Sequence, residues 1–232
     1  MDTNTQLLIF QAQVKNIKEL ESTWTHLKRS IHSDLVSNNI VSAKMHTKVL
    51  ALVYCALSEA MFSKLIHTPN GFALDEIAQI KTNQQTSIVN AWIKCIELAS
   101  AKVGSTKGNY IPNVRQNILR LVSRYIEEPS LIRNKIAHGQ WAIALNRDNT
   151  NVNLELTNEI NLIDIVKLDV LKYALRGLSD IVEAMIESPD RAFHRDYWPI
   201  LTDVEQHLVK SSKYTLKDKV TLMKAKRARH NP

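Results

Sequence analysis

The spacing of apolar and polar positions predicts a protein built almost entirely of helices. From residue 3 to residue 37, apolar side chains recur every three or four positions, which is the spacing of one helix face. The same spacing returns along most of the chain, and it stops at turn-forming residues such as Asn38 and Gly71. A loop is expected at 104–113. The predicted helices cover 3–37, 41–67, 73–80, 86–103, 114–127, 131–138, 162–187 and 189–209, and the segment from 215 onward is compatible with one more.

One segment departs from the helical spacing. Residues 141–145 and 152–156 resemble short strands, and the polar cluster between them is typical of a turn. This pattern predicts a small β-hairpin directly after the helix 131–138. Pro129 suits the first turn of that helix, and Gly139 suits the position just past its end. The expected fold class is therefore mainly α with a small β-hairpin insertion.

The composition agrees with a folded helical protein. The 232 residues include only 5 Gly and 6 Pro, which favours long helices over a turn-rich sandwich or barrel. No uninterrupted apolar run approaches the roughly 20 residues that span a bilayer, and the N-terminus lacks the basic start of a signal peptide. Cys55 and Cys95 lie inside helical patterns without a Cys-x-x-Cys pair, which predicts buried, reduced thiols. We expect a cytoplasmic protein with no metal site and no membrane partner.

The basic charge is concentrated at the end of the chain. Residues 210–232 hold eight Lys or Arg and one acid, so that the whole net charge of +7 resides there. Such a segment attracts polyanions, although it could also be a solvated tail that only aids solubility. We therefore expect a helical domain at 1–209 and a basic tail at 210–232. The candidate RNA-binding residues are Lys213, Lys217, Lys219, Lys224, Lys226, Arg227 and Arg229.

The candidate chemistry lies in residues 133–138, which read Arg-Asn-Lys-Ile-Ala-His. No other arginine of the chain has a histidine four to six residues after it. Asn134 and His138 are four residues apart and share one helix face, whereas Arg133 lies off that face and must reach around it. His138 is expected at a helix C-terminus, where the helix dipole favours a protonated imidazole.

These residue types suit RNA cleavage without a metal. The 2′-OH of RNA can attack the adjacent phosphorus if one group removes its proton and another protonates the leaving 5′-oxygen. Imidazole exchanges protons near neutral pH, and guanidinium holds phosphate oxygens. We therefore assign proton transfer to His138, phosphate binding to Arg133, and the orientation of one of them to Asn134. The ordinary alternative is an Arg and a His that cap carbonyls and bind an acid.

The motif, with Gly139 after it, resembles the signature of the HEPN superfamily of helical ribonucleases and nucleotide-binding proteins. The stretch 51–65, with Ser-Glu-Ala at 58–60, is similar to that family's long second helix, which often carries an acidic residue. The resemblance implies an up-and-down helical bundle over roughly 40–190 and an endoribonuclease without a cofactor. It also implies that Glu59 orients Arg133 or His138.

The resemblance carries further expectations about partners. One copy supplies one imidazole, so a homodimer would bring two motifs into one composite site. Toxin–antitoxin or antiviral defence is the expected setting, with an antitoxin or defence-complex partner. Some HEPN toxins have a modifiable Tyr two residues after the His, where this chain has Gln140. Regulation by modification of such a tyrosine is therefore not expected.

Two other interpretations stay open. The chain could be a non-catalytic RNA-binding or adaptor protein that uses the basic tail, or a component of a larger immune complex that is latent until a partner binds. Trp141 could stack on a base, but packing under the hairpin is the preferred interpretation. The histidines at 26, 32, 46 and 67 lack metal-like pairing.

Overall fold

The computed structural model describes residues 1–104 and 108–230, with the side chain of residue 230 left out. These residues form helices and no strand, which confirms the mainly α fold class. Parts of the predicted loop at 104–113 and of the tail, at 105–107 and 231–232, lie outside the described residues. The helices are α1 (Thr3–Val36), α2 (Ile40–Ile66), α3 (Leu74–Thr86), α4 (Ile88–Lys102), α5 (Tyr110–Val122), α6 (Glu128–Ala137), α7 (Leu154–Leu162), α8 (Ile165–Glu187), α9 (Ala192–Ser211) and α10 (Leu216–His230), with a π-helical turn (Ser123–Glu127) between α5 and α6.

The chain divides into two compact units, each assembled from three separate stretches. The motif helix and the basic tail both belong to the second unit. The expected division into 1–209 and 210–232 stays a prediction. The first unit comprises residues 1–19, 57–129 and 173–205, and the second comprises 20–56, 130–172 and the residues from 206 onward.

Aromatic and aliphatic side chains form the core of the first unit. The rings of Phe62 and Trp92 are fully buried, with their centroids 4.7 Å apart. Helices α8 and α9 approach each other closely at Gly177, because a Cβ atom there would lie 2.3 Å from Cγ2 of Val204. A larger residue at 177 would therefore require the Val204 side chain or its helix to shift.

One histidine of the first unit is buried in its neutral form. The side chain of His67 is enclosed, and its Nδ1 lies 2.6 Å from the carbonyl oxygen of Ser63. Its Nε2 is buried and has no hydrogen-bond partner among the described residues. Burial lowers the pKa of His67, and the charge of Lys81 acts in the same direction, while the Ser63 hydrogen bond opposes them. Nδ1 therefore donates its proton to the Ser63 carbonyl.

We expect His67 to make the protein less stable as the pH falls. Its folded-state pKa lies below the ordinary value of 6.5, so below that pH the unfolded chain takes up a proton that the folded chain does not bind. The free energy of unfolding then decreases by up to about 1.4 kcal/mol per pH unit until the folded-state pKa is reached. Urea unfolding at several pH values from 7.5 to 5 measures this slope.

The matched variants for this measurement are His67→Gln and His26→Gln. The glutamine at 67 does not titrate and should flatten the slope, whereas the exposed His26 should leave it unchanged. Burial also lowers the pKa of His32, so a slope of the same sign should remain in His67→Gln, smaller than that of the wild type. Equal slopes in wild type and His67→Gln would contradict the prediction.

The second unit combines a buried core with lysine–carboxylate pairs at its edge. Trp24, at 3% exposure, packs beneath the ammonium of Lys172, which lies 4.6 Å from the ring centroid and also pairs with Glu21. Asp169 binds Lys28 with an Nζ–Oδ1 distance of 2.7 Å. Because these pairs are partly desolvated, they favour one arrangement of the helices more than fully exposed pairs would.

The predicted β-hairpin is wrong. Leu145 and Val152 form a single antiparallel bridge, and no described residue near them belongs to a strand. The second predicted strand instead becomes the start of α7, because the Asn153 side chain accepts a hydrogen bond of 3.0 Å from the Leu156 amide and caps the helix. Leu156 and Ile160 are then one turn apart and both are buried.

The predicted break between the helices 114–127 and 131–138 is also wrong, although Pro129 lies in the first turn of α6 as expected. The chain passes from α5 through the π-helical turn at Ser123–Glu127 directly into α6. Proline has no amide hydrogen, and its ring crowds the carbonyl four residues earlier. A single widened turn accommodates both effects, so the helical path continues into the motif helix.

One helix bears on the expectation about apolar segments. By length and composition, α2 is long and apolar enough to cross a membrane, and 56% of its apolar window is buried inside the protein. The core helix of a soluble protein gives the same result, so α2 is weak evidence for a membrane span. The predicted burial of Cys55 and Cys95 is confirmed, and burial raises the pKa of the Cys95 thiol.

Candidate functional site

The motif helix α6 presents two of its three predicted residues to solvent. Asn134 and His138 are exposed, and the His138 amide donates to the Asn134 carbonyl oxygen at 3.1 Å, as expected for residues one helical turn apart. Arg133 is half-buried, with its Nε enclosed by the protein. The imidazole of His138 is therefore accessible, whereas the guanidinium of Arg133, five residues earlier, is partly enclosed.

Gly139 ends the motif helix in the way that its position predicts. Its φ of +79° lies in the left-handed region that favours glycine. The Gly139 amide donates to the Ile136 carbonyl at 3.1 Å, and the Gln140 amide donates to the Lys135 carbonyl at 2.9 Å. These two bonds form a Schellman motif and satisfy carbonyls that the helix end would leave open. His138 is therefore the last residue before the chain reverses.

The segment after Gly139 folds back onto the end of α6. The side-chain oxygen of Gln140 accepts a hydrogen bond of 2.8 Å from the Leu145 amide, and the Trp141 indole donates to the Ile136 carbonyl at 2.9 Å. Gln140 thus orders the loop at the position where some HEPN toxins carry tyrosine. Trp141 is half-buried, and its role in base stacking stays a prediction.

A small apolar cluster holds the motif helix in the second unit. Ala144, Leu156 and Ile160 are buried together, and Ile132 of α6 packs against them. The loop is tied to α7 by the Ala144 amide, which donates to the Thr157 hydroxyl at 2.9 Å. The position of α6 therefore depends on α7, the helix that takes the place of the predicted hairpin strand.

Glu59 lies on an exposed position of α2 in the first unit. Its expected role in orienting Arg133 or His138 comes from the family resemblance. That role stays a prediction.

Lys48 is a residue near the motif that the sequence analysis did not identify. Its Nζ donates to the carbonyl oxygen of Trp141, three residues after His138. Burial lowers the pKa of Lys48, and the positive charge of Lys44 one turn away adds to the effect. No clear signal in the sequence identifies Lys48, because Lys44 and Lys48 lie among the polar residues Ser42, His46 and Thr47 in the first turns of α2.

The helix expected from residue 215 onward is confirmed as α10. Thr215 and Asp218 cap it reciprocally: the Thr215 amide donates to the Asp218 carboxylate at 2.9 Å, and the Asp218 amide donates to the Thr215 hydroxyl at 3.2 Å. Hydrogen bonds from the Thr215 hydroxyl and the Thr215 amide to its carboxylate hold the pKa of Asp218 below its ordinary value. The basic segment therefore begins as an ordered helix.

At least two of the predicted RNA-binding residues contact the protein. Lys219 pairs with Asp169 at 3.2 Å, so that Asp169 binds both Lys219 and Lys28, and Lys224 donates to the Asn38 side chain at 2.7 Å. These contacts hold α10 within the second unit. Six of the seven predicted residues, all except Lys219, are exposed: Lys213, Lys217, Lys224, Lys226, Arg227 and Arg229.

The first unit contains a surface groove of about 780 Å³ between α4 and α5. Its lining is mainly apolar, with Ile111 and Leu119 beside the charged Glu97 and Arg115. None of the predicted site residues line it. The candidate site is therefore an exposed helix end, which a second surface would have to enclose.

Comparisons of the chain with protein-family models, with curated proteins and with solved structures give no match. The candidate site therefore rests on its residues and their geometry. In the part of the chain that the structure describes, no group of three or more His, Cys, Asp or Glu is placed to hold a metal ion.

Proposed function

We propose that this chain is a metal-independent endoribonuclease of the HEPN type that acts as a homodimer with a composite active site. The observation that supports the proposal is the exposed His138 at the capped end of α6. Asn134 lies one turn earlier on the same side, and the half-buried Arg133 directly precedes Asn134. A proton-transfer group must reach its substrate, whereas a phosphate-binding group gains from being held in one position.

The reaction needs a base, an acid and positive charge. A neutral His138 accepts the proton of the 2′-OH, the 2′-oxygen attacks phosphorus, and the bond to the 5′-oxygen breaks. The protonated His138 of the second copy donates a proton to that leaving oxygen. Arg133 stabilises the charge on the phosphorane. The products are a 2′,3′-cyclic phosphate and a 5′-hydroxyl.

The finer expectations belong to the same proposal. The chain would have the up-and-down bundle of HEPN proteins, with Glu59 orienting Arg133 or His138 and with no cofactor. It would act in the cytoplasm in toxin–antitoxin or antiviral defence, restrained by an antitoxin or by a defence-complex partner. A twofold interface is favoured because it places two identical motifs in one cleft.

The test is incubation of the purified chain with total RNA in excess EDTA, followed by mapping of the cleaved ends. We expect cleavage in EDTA and ends that carry a 2′,3′-cyclic phosphate and a 5′-hydroxyl. Light scattering on the purified chain alone should show a dimer. Cleavage that EDTA abolishes, or ends with a 5′-phosphate, would reject the mechanism.

A second candidate function is non-catalytic RNA binding through the basic tail. The exposed cations of α10 and of the residues before it favour this function, because concentrated Lys and Arg release counterions from a nucleic acid. RNA binding without any cleavage would support this candidate over the nuclease.

Neutralising four exposed tail cations should weaken RNA binding and its salt dependence. Each lost phosphate contact on a single strand lowers the slope of log K against log salt by about 0.7, so four losses lower it by about 3. Deletion of residues 210–232 would give a less clear result, because it also removes the contacts that Lys219 and Lys224 make with the protein. The variant carries Gln at Lys213, Lys217, Arg227 and Arg229.

A control removes the same charge elsewhere. The four cations that it loses are exposed, so this variant should be as stable and as soluble as the tail variant. It should lose less affinity for RNA than the tail variant does. Equal losses in the two variants would mean that the tail has no special role. The control carries Gln at Lys15, Lys18, Arg29 and Lys81.

A further inference from the structure

Lys48 is a half-buried cation at the end of the motif helix. Its ammonium donates to the neutral carbonyl of Trp141, and no Asp or Glu among the described residues pairs with it. The charge that acts on its ammonium is that of another cation, Lys44. Three other half-buried lysines of the second unit, Lys28, Lys172 and Lys219, each bind a carboxylate. Lys167 and Lys224 also bind neutral oxygens, but both are exposed to water.

A partly desolvated charge without a counter-charge is unfavourable in the folded protein. The carbonyl end of a helix stabilises a nearby cation to some extent, which gives Lys48 a purely structural role as the first alternative. A bound phosphate would supply the missing negative charge and would gain from the reduced local dielectric. The two roles differ in what the charge of Lys48 does to RNA affinity.

We propose that Lys48 binds a backbone phosphate of the RNA strand whose scissile phosphodiester lies at Arg133 and His138. The proposal rests on the proposed ribonuclease function and adds a substrate contact to it. Trp141 places the ammonium three residues beyond His138 along the chain, where a neighbouring nucleotide of a bound strand would pass. Lys48 would then contribute to substrate binding and take no part in proton transfer.

The experiment compares Lys48→Met with Lys48→Arg and with Lys44→Met. Methionine keeps the apolar stem and removes the charge, arginine keeps the charge, and Lys44 is an exposed lysine one turn away on the same helix. Each change is made in wild type for cleavage kinetics and in a His138→Ala background for binding of single-stranded RNA. Thermal unfolding of every variant confirms that the fold is retained.

We expect Lys48→Met to raise KM and the dissociation constant about tenfold, to leave kcat within about twofold, and to lower the salt slope by about 0.7. Lys48→Arg should restore most of the affinity, and Lys44→Met should have a much smaller effect. The proposal would be overturned if Lys48→Met bound RNA as tightly as Lys44→Met, or if Lys48→Met lowered kcat alone. If the chain binds RNA but never cleaves it, the nuclease proposal fails and the binding data still decide the role of Lys48.

Discussion

Replacing His138 with alanine is expected to lower the rate of RNA cleavage by about two to four orders of magnitude, the usual contribution of a general acid–base group. The free energy of unfolding should change by less than about 0.5 kcal/mol, because the side chain is exposed and its ring makes no hydrogen bond among the described residues. Single-turnover cleavage of a defined RNA in EDTA measures the rate, and urea unfolding measures the stability.

Two comparisons make this result specific. His26→Ala removes another exposed histidine and should leave the rate unchanged. Arg133→Ala should also abolish cleavage, and Arg133→Lys should restore little of it, since a lysine keeps the charge and loses the planar fork that holds two phosphate oxygens. Unchanged cleavage by His138→Ala would remove the basis of the proposed function.

Replacing Ile160 with alanine is expected to lower the free energy of unfolding by about 2–5 kcal/mol. Ile160 is fully buried in the cluster that it forms with Ala144 and Leu156, and the smaller side chain leaves a cavity there. The matched control is Leu162→Ala on the same helix, since Leu162 is 63% exposed and should contribute less than about 0.5 kcal/mol. Urea unfolding of the three proteins measures the difference.

The same substitution should also lower cleavage activity without touching the motif. Ile132 of α6 packs against the cluster, so a loosened α7 lets the motif helix move and disturbs the geometry of Arg133 and His138. Activity is measured at a temperature where the variant remains folded by circular dichroism. Equal stability of Ile160→Ala and Leu162→Ala would show that this cluster does not support the site.

Much of the helical fold follows from spacing that can be read along the chain. The first two helices end within two residues of their predicted ends, and the turn at Asn38 has the positive φ of 60° that an Asn-Asn pair favours. The end of the motif helix at Gly139 was predictable for the same reason, because a left-handed residue there favours glycine.

The errors occurred where short apolar runs suit two structures. Residues 152–156 alternate like a strand, but the cap at Asn153 commits them to α7, where Leu156 joins the cluster with Ile160. Periodicity over five residues does not separate these outcomes. At Pro129 the rule that proline breaks a helix did not apply, because the π-helical turn relieved its conflict with the preceding turn.

By itself, the sequence determined most of the helices, the ends of α1, α2 and α6, and the spacing that places Asn134 and His138 one turn apart. These features depend on hydrogen bonds and caps between residues a few positions apart. Only the tertiary structure decided that Lys48 meets the carbonyl of Trp141, 93 residues away, and that Asp169 binds both Lys28 and Lys219. Such contacts depend on which helix faces pack together, and a surface lysine has the same local pattern whether or not it finds a partner.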